Sequence, residues 1–483
     1  MPNKPKSFDR NLIVIGGGSA GLVSALIAAA VNAKVTLIEK HKMGGDCLNT
    51  GCVPSKALIK SAKVASLIKR SEEFGINVSE SNIDFAAVME RIQSVIAKIE
   101  PHDSRERFES LGVECLEGEA TITSPWTVEV NGKTLSTRNI IVATGARPFV
   151  PPIKGIDQIK YLTSDNLWDI RDLPKRLVVL GGGPIGCELT QSFARLGSQV
   201  IQIEMLPRIM IREDEEIAAM MTKRFQDEGV DIRTHHMAKE IVIKEGKKVL
   251  ICEHDDKTVE IEFDEILVAV GRAANTSGFG LEELGVALNP NKTIRVNEKL
   301  RTSVPSIYAC GDVAGPYQFT HTASHQAWYA TVNALFGKFK SFKVDYSVIP
   351  WATFTDPEVA RVGLNEQDAK EQGIAYDVTR YGIDDLDRAI AEGEDHGVVK
   401  VLTAPGKDKI LGVTIIGEHA GELITEYITA MKHGFGMNKI LGTIHIYPTF
   451  SEANKFAAGV WKKANAPQSL LKLVEKFHGW MRS

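Results

Sequence analysis

The chain has 483 residues, 43% of them hydrophobic and 24% charged, with a net charge of −4. That length exceeds what one hydrophobic core serves and predicts about two to four globular domains. The slight acidity excludes the basic field that nucleic acid requires, so no nucleic-acid partner is expected. Six cysteines form no disulfide framework in a chain this long, which points to a reducing, cytoplasmic setting.

Residues 12–33 contain no charge and follow Lys4, Lys6 and Arg10, a pattern that hydropathy alone would assign to a signal peptide or an anchor. The run holds Gly16, Gly17 and Gly18 in succession and then Gly21, and charge returns at Lys34 and Glu39. It reads instead as a buried strand over 12–15, a glycine turn, and a buried helix from about Ala20. Next comes "GGDCLNTGCVPSK", residues 44–56, with Cys47 and Cys52 inside a glycine-rich approach to a helix. By itself the pair is open to three readings: a metal clip, a crosslink or a redox device.

The opening device recurs. "LIVIGGGSAG" and "LVVLGGGPIG" place Gly16, Gly18 and Gly21 against Gly181, Gly183 and Gly186 at a constant offset (181 − 16 = 165). Glu39 and Glu204 keep that offset, each ending a second apolar strand, "VTLIEK" and "VIQIEM". In such a unit the first glycine makes a tight turn, and the second lets the backbone approach a pyrophosphate. The third lets helix and strand pack closely, and the carboxylate reaches ribose hydroxyls. One such motif is weak, whereas two in register predict two dinucleotide sites.

"IIVATGARP" (140–148) and "ILVAVGRAA" (266–274) read as the closing strand and turn of each unit, and "SIYACGDVAG" (306–315) as a further strand ending at Gly311-Asp312. From about Pro350, short runs such as "GVVKVL" and "KILGVTIIG" predict an α+β domain with an antiparallel sheet. The fold class is therefore α/β, with two Rossmann-like dinucleotide-binding domains plus an α+β C-terminal domain. Cys115, Cys187, Cys252 and Cys310 are isolated and expected to be buried, inert thiols. His321 and His325 have helical spacing but no third ligand, so no metal site is expected. Leu470, Leu471, Val474, Phe477 and Met481 recur at helical spacing among Lys472, Lys476 and Arg482. The expectation is a helix packed on its own body; the alternative is a basic amphipathic helix on a membrane or a partner.

From about Asn11 to Lys463 these motifs together resemble the class I pyridine nucleotide-disulfide oxidoreductases, the flavoprotein group of dihydrolipoamide dehydrogenase, glutathione reductase and mercuric reductase. "GGDCLNTGCVPSK" is the most specific of them. The resemblance implies an FAD-binding domain in two parts, residues 8–150 and 275–348, around an NAD(P)-binding domain at 151–274. A dimerisation domain at 349–465 and an amphipathic tail at 466–483 would follow, and a homodimer is implied. FAD would occupy the first glycine motif, and the nicotinamide dinucleotide the second. Ala120, Thr144, Gly145, Gly271, Asp312, Phe319, Thr320 and His321 would join Lys56 as further cofactor contacts, with Asp312 on the flavin's ribityl chain.

The same resemblance makes Cys47 and Cys52 a redox-active disulfide, with Cys52 facing the flavin as the charge-transfer thiolate and Cys47 as the interchange thiol. Zinc would need about four ligands, and no second Cys/His pair of suitable spacing is evident. Five residues is too far to bridge within a regular helix, so the pair needs a distorted turn, which Gly45, Gly51 and Pro54 supply. Lys56 and Glu188 are implied to meet beside the flavin ring.

One position departs from the family. Dithiol-handling members carry His-Pro-Thr and a following glutamate, given by one subunit to the other's interchange thiol. Here "GTIHIYPTFSEANK" (442–455) keeps Pro448, Thr449 and Glu452 but has Tyr447 at the histidine position. Mercuric reductases share the tyrosine, yet their vicinal C-terminal cysteines and N-terminal metal-binding module are missing, so the chain is expected to fit neither class cleanly. If the segment is extended, His445 falls on the same side as Tyr447 and reaches partway toward the interchange thiol. The expected activity is FAD-dependent electron transfer from NADH, rather than NADPH, to a disulfide or other small electrophilic acceptor. The alternatives are a dihydrolipoamide dehydrogenase using His445, a mercuric reductase-like enzyme, and a redox-signalling flavoprotein partner of a membrane protein.

Overall fold

A computed structural model describes residues 4–483, which form two units. One holds the described residues up to Pro207 together with Gln226–Asp345; the other holds Arg208–Phe225 and Tyr346–Ser483.

In the first unit the uncharged N-terminal run forms the strand Arg10–Ile15 and the helix Ser19–Ala30. Leu12, Ile13 and Val14 are wholly buried, as a parallel strand covered on both faces requires. The parallel sheet runs Glu114–Glu117, Val35–Glu39, Arg10–Ile15 and Lys133–Val142, and Ile307–Ala309 pairs with the last of these. The second sheet repeats the order with Asp231–Arg233, Gln199–Ile203, Arg176–Leu180 and Glu265–Val268, again all parallel. In both, the chain crosses from the central strand through a helix to its neighbour and later returns on the other side.

Each unit of the repeat also carries a three-stranded antiparallel flap that the sequence reading did not resolve. The first is Ala120–Ser124, Thr127–Val130 and the start of Lys133–Val142; the second is Met237–Lys244, Lys247–His254 and Lys257–Phe263. Their hairpin turns at Asn131-Gly132, Glu245-Gly246 and Asp255-Asp256 have both central residues at positive φ, the geometry that suits the twist of paired strands.

The second unit is a five-stranded antiparallel sheet in the order Pro350–Thr353, Glu358–Gly363, Ile410–Gly417, Val398–Thr403, Asp377–Gly382. The helices Ala420–Lys432 and Glu452–Ala464 share its core, with Tyr427, Ala453 and Ala457 wholly buried. Arg208–Phe225, read from sequence as part of the nucleotide-binding half, groups with this sheet for an electrostatic reason. Lys400 is only 1% exposed and is ringed by Asp214 at 2.7 Å, Glu366 at 2.6 Å and Glu216. Arg361, 4% exposed, lies 3.5 Å from Glu213 and 3.2 Å from Asp368.

The terminal helix Gln468–Arg482 buries none of its residues, which overturns the expectation that it packs on its own body. Among the described residues no helix is long and apolar enough to cross a membrane.

Replacing Lys400 by methionine leaves buried Asp214 without its cation and takes one of two cations from Glu216 and Glu366, which keep Arg380; breaking a buried pair in this way costs about 3–5 kcal/mol. Denaturant unfolding of Lys400→Met is therefore expected to show that loss at pH 8 and a smaller one at pH 5, where protonation relieves the stranded charges.

Candidate functional site

The two glycine turns have one construction. Gly16 and Gly181 sit at φ +105° and +109°, and a Cβ there would lie 2.3 Å and 2.5 Å from the carbonyl oxygens of Ala143 and Ala269. A Cβ at Gly21 or Gly186 would lie 1.7 Å or 2.1 Å from the carbonyl of its own first glycine, so helix and turn meet with no room for a side chain. Gly18 and Gly183 cap the helices Ser19–Ala30 and Pro184–Leu196 in extended conformation, and neither helix has a side-chain cap, which leaves its first amides for an anion. Glu39 accepts from the amides of Gly17 (2.5 Å) and His41 (2.7 Å), and Glu204 from those of Gly182 (2.6 Å) and Leu206 (2.8 Å). Each carboxylate braces its turn and keeps lone pairs for a ribose. Both cradles fit a dinucleotide.

Other residues expected at the cofactor cluster in the same unit. The Thr144 hydroxyl donates to the Asn275 carbonyl at 2.7 Å, and Gly145 and Gly271 take positive φ around the short ladder Ala146–Pro148 with Arg272–Ala274. Asp312 follows the strand Ile307–Ala309 and lies 3.6 Å from Arg272; burial holds its carboxyl above the usual range, with Arg272 opposing. Ala120 opens the first flap. Phe319 caps the helix Thr320–Phe336 and stacks on His321 at 5.3 Å, while His325 turns away to the Asp345 carbonyl at 2.9 Å.

The dithiol segment is built onto the first turn. The helix Gly45–Asn49 breaks at Thr50-Gly51, and Cys52 starts the next helix, Cys52–Lys69. At Gly51 a Cβ would lie 2.9 Å from the Asp46 carbonyl oxygen, so the break depends on glycine. The Gly44 amide donates to the Gly17 carbonyl at 2.9 Å. Gly45, at φ +56°, packs so closely that its Cβ would be 2.6 Å from the Cα of Gly18. Asp46 pairs with Arg272, and the Trp168 indole donates to the Thr50 carbonyl at 2.9 Å. Gly44, Gly45, Asp46 and Thr50 all lie within the dithiol motif, but nothing there announces Arg272 or Trp168 as partners.

Both cysteines are free thiols, Cys47 half-buried and Cys52 exposed. The Thr320 hydroxyl lies 3.4 Å from the Cys52 sulfur. Lys56, one helical turn beyond Cys52, pairs at 2.9 Å with buried Glu188 from the helix of the second glycine turn. The neighbouring Cys47 thiol chiefly draws the Cys52 pKa down to about 6 against burial, with help from Thr320 and Lys56. Its position at a helix N-terminus acts in the same direction. Proximity to Cys52, followed by burial, pushes Cys47 far up. The pair titrates together, and Cys52 gives up its proton first.

In the other unit the residues around Pro448 point two ways. His445 is turned inward, its ring nitrogens facing the Thr443 carbonyl at 3.0 Å and both Glu426 oxygens at 3.1 Å. Tyr447 is exposed and donates to Asp387 at 3.0 Å, a bond that raises its pKa. The segment is not a strand, so side chains do not alternate and the two residues do not share a side. Glu452 starts the helix Glu452–Ala464 and accepts from the Thr449 amide at 3.3 Å. Tyr447, Asp387, Glu452 and Lys463 line one cleft of about 370 Å³.

Residues 10–327 match the family described as pyridine nucleotide-disulphide oxidoreductase, and residues 349–458 match its dimerisation domain. A mercuric reductase of Lysinibacillus sphaericus is 35% identical over 94% of this chain and 83% of its own. A dihydrolipoyl dehydrogenase of Chlamydia pneumoniae is 36% identical over 94% of this chain and 97% of its own. Among solved structures, the HOCl-induced flavoprotein disulfide reductase RclA from Escherichia coli superposes with a TM-score of 0.84 at 27% identity, covering 93% of this chain and 99% of that one.

Cys52 is the thiol expected to ionise first. In the reduced protein, thiolate ultraviolet absorbance is expected to rise through a midpoint near 6 and to be lost in Cys52→Ser. Lys56→Met removes a stabilising cation and leaves Glu188 unbalanced, so the midpoint should move upward.

Proposed function

Because the chain belongs to the pyridine nucleotide-disulphide oxidoreductase family, whose members are FAD-dependent enzymes, we propose that it passes electrons from NADH through Cys52 and Cys47 to a disulfide or other electrophilic acceptor. The observation that carries this reading is the placement of Cys47 and Cys52 against the first glycine turn, with the Thr320 hydroxyl 3.4 Å from the Cys52 sulfur and the Lys56–Glu188 pair one helical turn on.

The first glycine turn would hold the FAD pyrophosphate, Glu39 its adenosine ribose and Asp312 its ribityl chain; the second turn and Glu204 would hold NADH. FAD, when bound, supplies the two-electron link between nicotinamide and dithiol. Lys56 and Glu188 form a neutral pair beside Cys52, which keeps one cation near the thiolate without a net field. With a disulfide acceptor, the Cys47 sulfur attacks one acceptor sulfur while its thiol proton passes by way of the Cys52 thiolate to the departing sulfur, forming a mixed disulfide and releasing the first thiol. The Cys52 thiolate then attacks Cys47, closing the Cys47–Cys52 disulfide and releasing the second sulfur as a thiolate that takes one proton from solvent. The pair loses the two electrons that the acceptor gains, and hydride from NADH restores one thiol and one thiolate.

The chain works as a homodimer in this reading, with Tyr447 of each subunit facing the partner subunit's Cys47, as the family resemblance implies. Tyr447 already gives its proton to Asp387 in a hydrogen bond and is a neutral phenol, able to orient an acceptor but not to take a thiol proton. An acceptor electrophilic enough to need little base assistance fits this arrangement. The runner-up, dihydrolipoamide oxidation through His445, is disfavoured by the enclosure of that ring between Thr443 and Glu426. The deciding experiment is steady NADH oxidation by the purified enzyme against lipoamide, other disulfides, quinones and thiol-capped Hg(II), with Cys47→Ser as control. Absence of turnover with every acceptor, with a single reduction and no more, would favour a redox-signalling role instead.

Two outcomes follow from named residues. Glu204 accepts a free 2′-hydroxyl and repels a 2′-phosphate. The nearby Arg208 is committed to Gln367 at 2.9 Å and to the Ile211 and Glu213 carbonyls. NADH should therefore exceed NADPH in kcat/KM by about tenfold or more; parity would reverse the assignment. A positioned base contributes ~10²–10⁴ in rate, so dihydrolipoamide turnover should be poor, rise in Tyr447→His, and change little in His445→Ala. Efficient lipoamide turnover that collapses in His445→Ala would promote the runner-up.

A further inference from the structure

The helix Gln468–Arg482 has no buried residue, yet Leu470, Leu473, Phe477, Trp480 and Met481 are all more than half exposed. On a helix of 100° per residue, these five and Val474 fall within about 120° of the circumference, a continuous apolar stripe. The remaining arc carries Lys472, Lys476 and Arg482 with a single carboxylate, Glu475. Lys462 and Lys463 close the preceding helix and are exposed. From Lys462 to Ser483 there are five cations and one acidic residue, in a chain whose net charge is −4. The cationic end thus stands against an acidic remainder.

We propose that this helix lies on an anionic phospholipid surface, with its apolar stripe sunk to the acyl boundary and its cations among the headgroups. Fifteen residues make a helix of about 22 Å, too short for a hydrocarbon core of about 30 Å, so it lies in the interface and does not cross. Trp480 sits at the edge of the stripe, where an indole meets both acyl chains and headgroups. Charge complementarity selects the occupant. Two such helices from two copies would bring like charges together, whereas an anionic bilayer satisfies the cations and repels the acidic remainder of the chain. An apolar stripe with a basic flank supplies the two signals that stable surface binding needs, and a dimer presents the pair twice.

The test is co-sedimentation of the full-length, FAD-loaded protein with phosphatidylcholine vesicles, alone or containing about 30% phosphatidylglycerol. Binding is expected to the anionic vesicles, about tenfold or more above the neutral ones, and to weaken as salt is raised. The double variant Leu473→Glu/Phe477→Glu should lose it, and Lys472→Glu/Lys476→Glu should weaken it, with NADH oxidation and the mass by light scattering unchanged in both. No binding by the unaltered protein, or binding that survives Leu473→Glu/Phe477→Glu, would overturn the proposal. A fall in mass to the monomer in that variant would also overturn it, and would assign the stripe to a second copy of the chain.

Discussion

The dithiol has its position because two glycine backbones touch. Gly44 donates to the Gly17 carbonyl, and Gly45 packs on Gly18 at a distance that excludes any Cβ. The turn that would cradle one dinucleotide and the segment that presents Cys47 and Cys52 are consequently a single rigid piece. Everything downstream inherits that placement. The helix beginning at Cys52 sets Lys56 one turn on, Lys56 reaches Glu188 on the helix of the second turn, and Thr320 arrives from the helix capped by Phe319. Side chains from three helices converge on one sulfur because the backbone fixed that sulfur first.

The chemistry then comes from asymmetry within the pair. Two identical thiols in identical surroundings would share a pKa, and neither would be poised at neutral pH. Here both sulfurs lie within reach of the Thr320 hydroxyl, but Cys52 starts a helix and feels the Lys56 ammonium, whereas burial adds to what holds the Cys47 proton. In the other unit the phenol of Tyr447 leans on Asp387, a partner that tightens its hold on its proton. The two units thus present a ready nucleophile and a reluctant acid-base group, which is the combination behind the proposed choice of acceptor.

Much of this was legible in the sequence wherever the physical demand is local. A positive-φ turn, a glycine under a helix and a carboxylate 22 residues later each have to be written at fixed spacing, and Gly17 with Glu39 and Gly182 with Glu204 are bonded as that spacing implies. The antiparallel flaps have a local signal too, in turns such as Asn131-Gly132. Partners far apart in the chain left no mark. Nothing near Tyr447 announces Asp387, nothing near His445 announces Glu426, and the assumption of an extended strand misdirected both. The grouping of Arg208–Phe225 depends on Lys400 and Arg361, more than 130 residues away. The terminal helix showed its amphipathic pattern in sequence, but only the fold shows that the described residues bury none of it.

One difference between the two otherwise matched turns bears on residence time. A Cβ at Gly18 would meet the Cα of Gly45 at 3.7 Å, whereas a Cβ at Gly183 would meet nothing within 4 Å. The first turn is roofed by the dithiol segment and the second lies open. If the first turn seats FAD and the second NADH, as proposed, the backbone that covers the first, itself tied down by the Asp46–Arg272 pair and the Trp168 bond, would slow the departure of the one nucleotide and leave the other free to exchange.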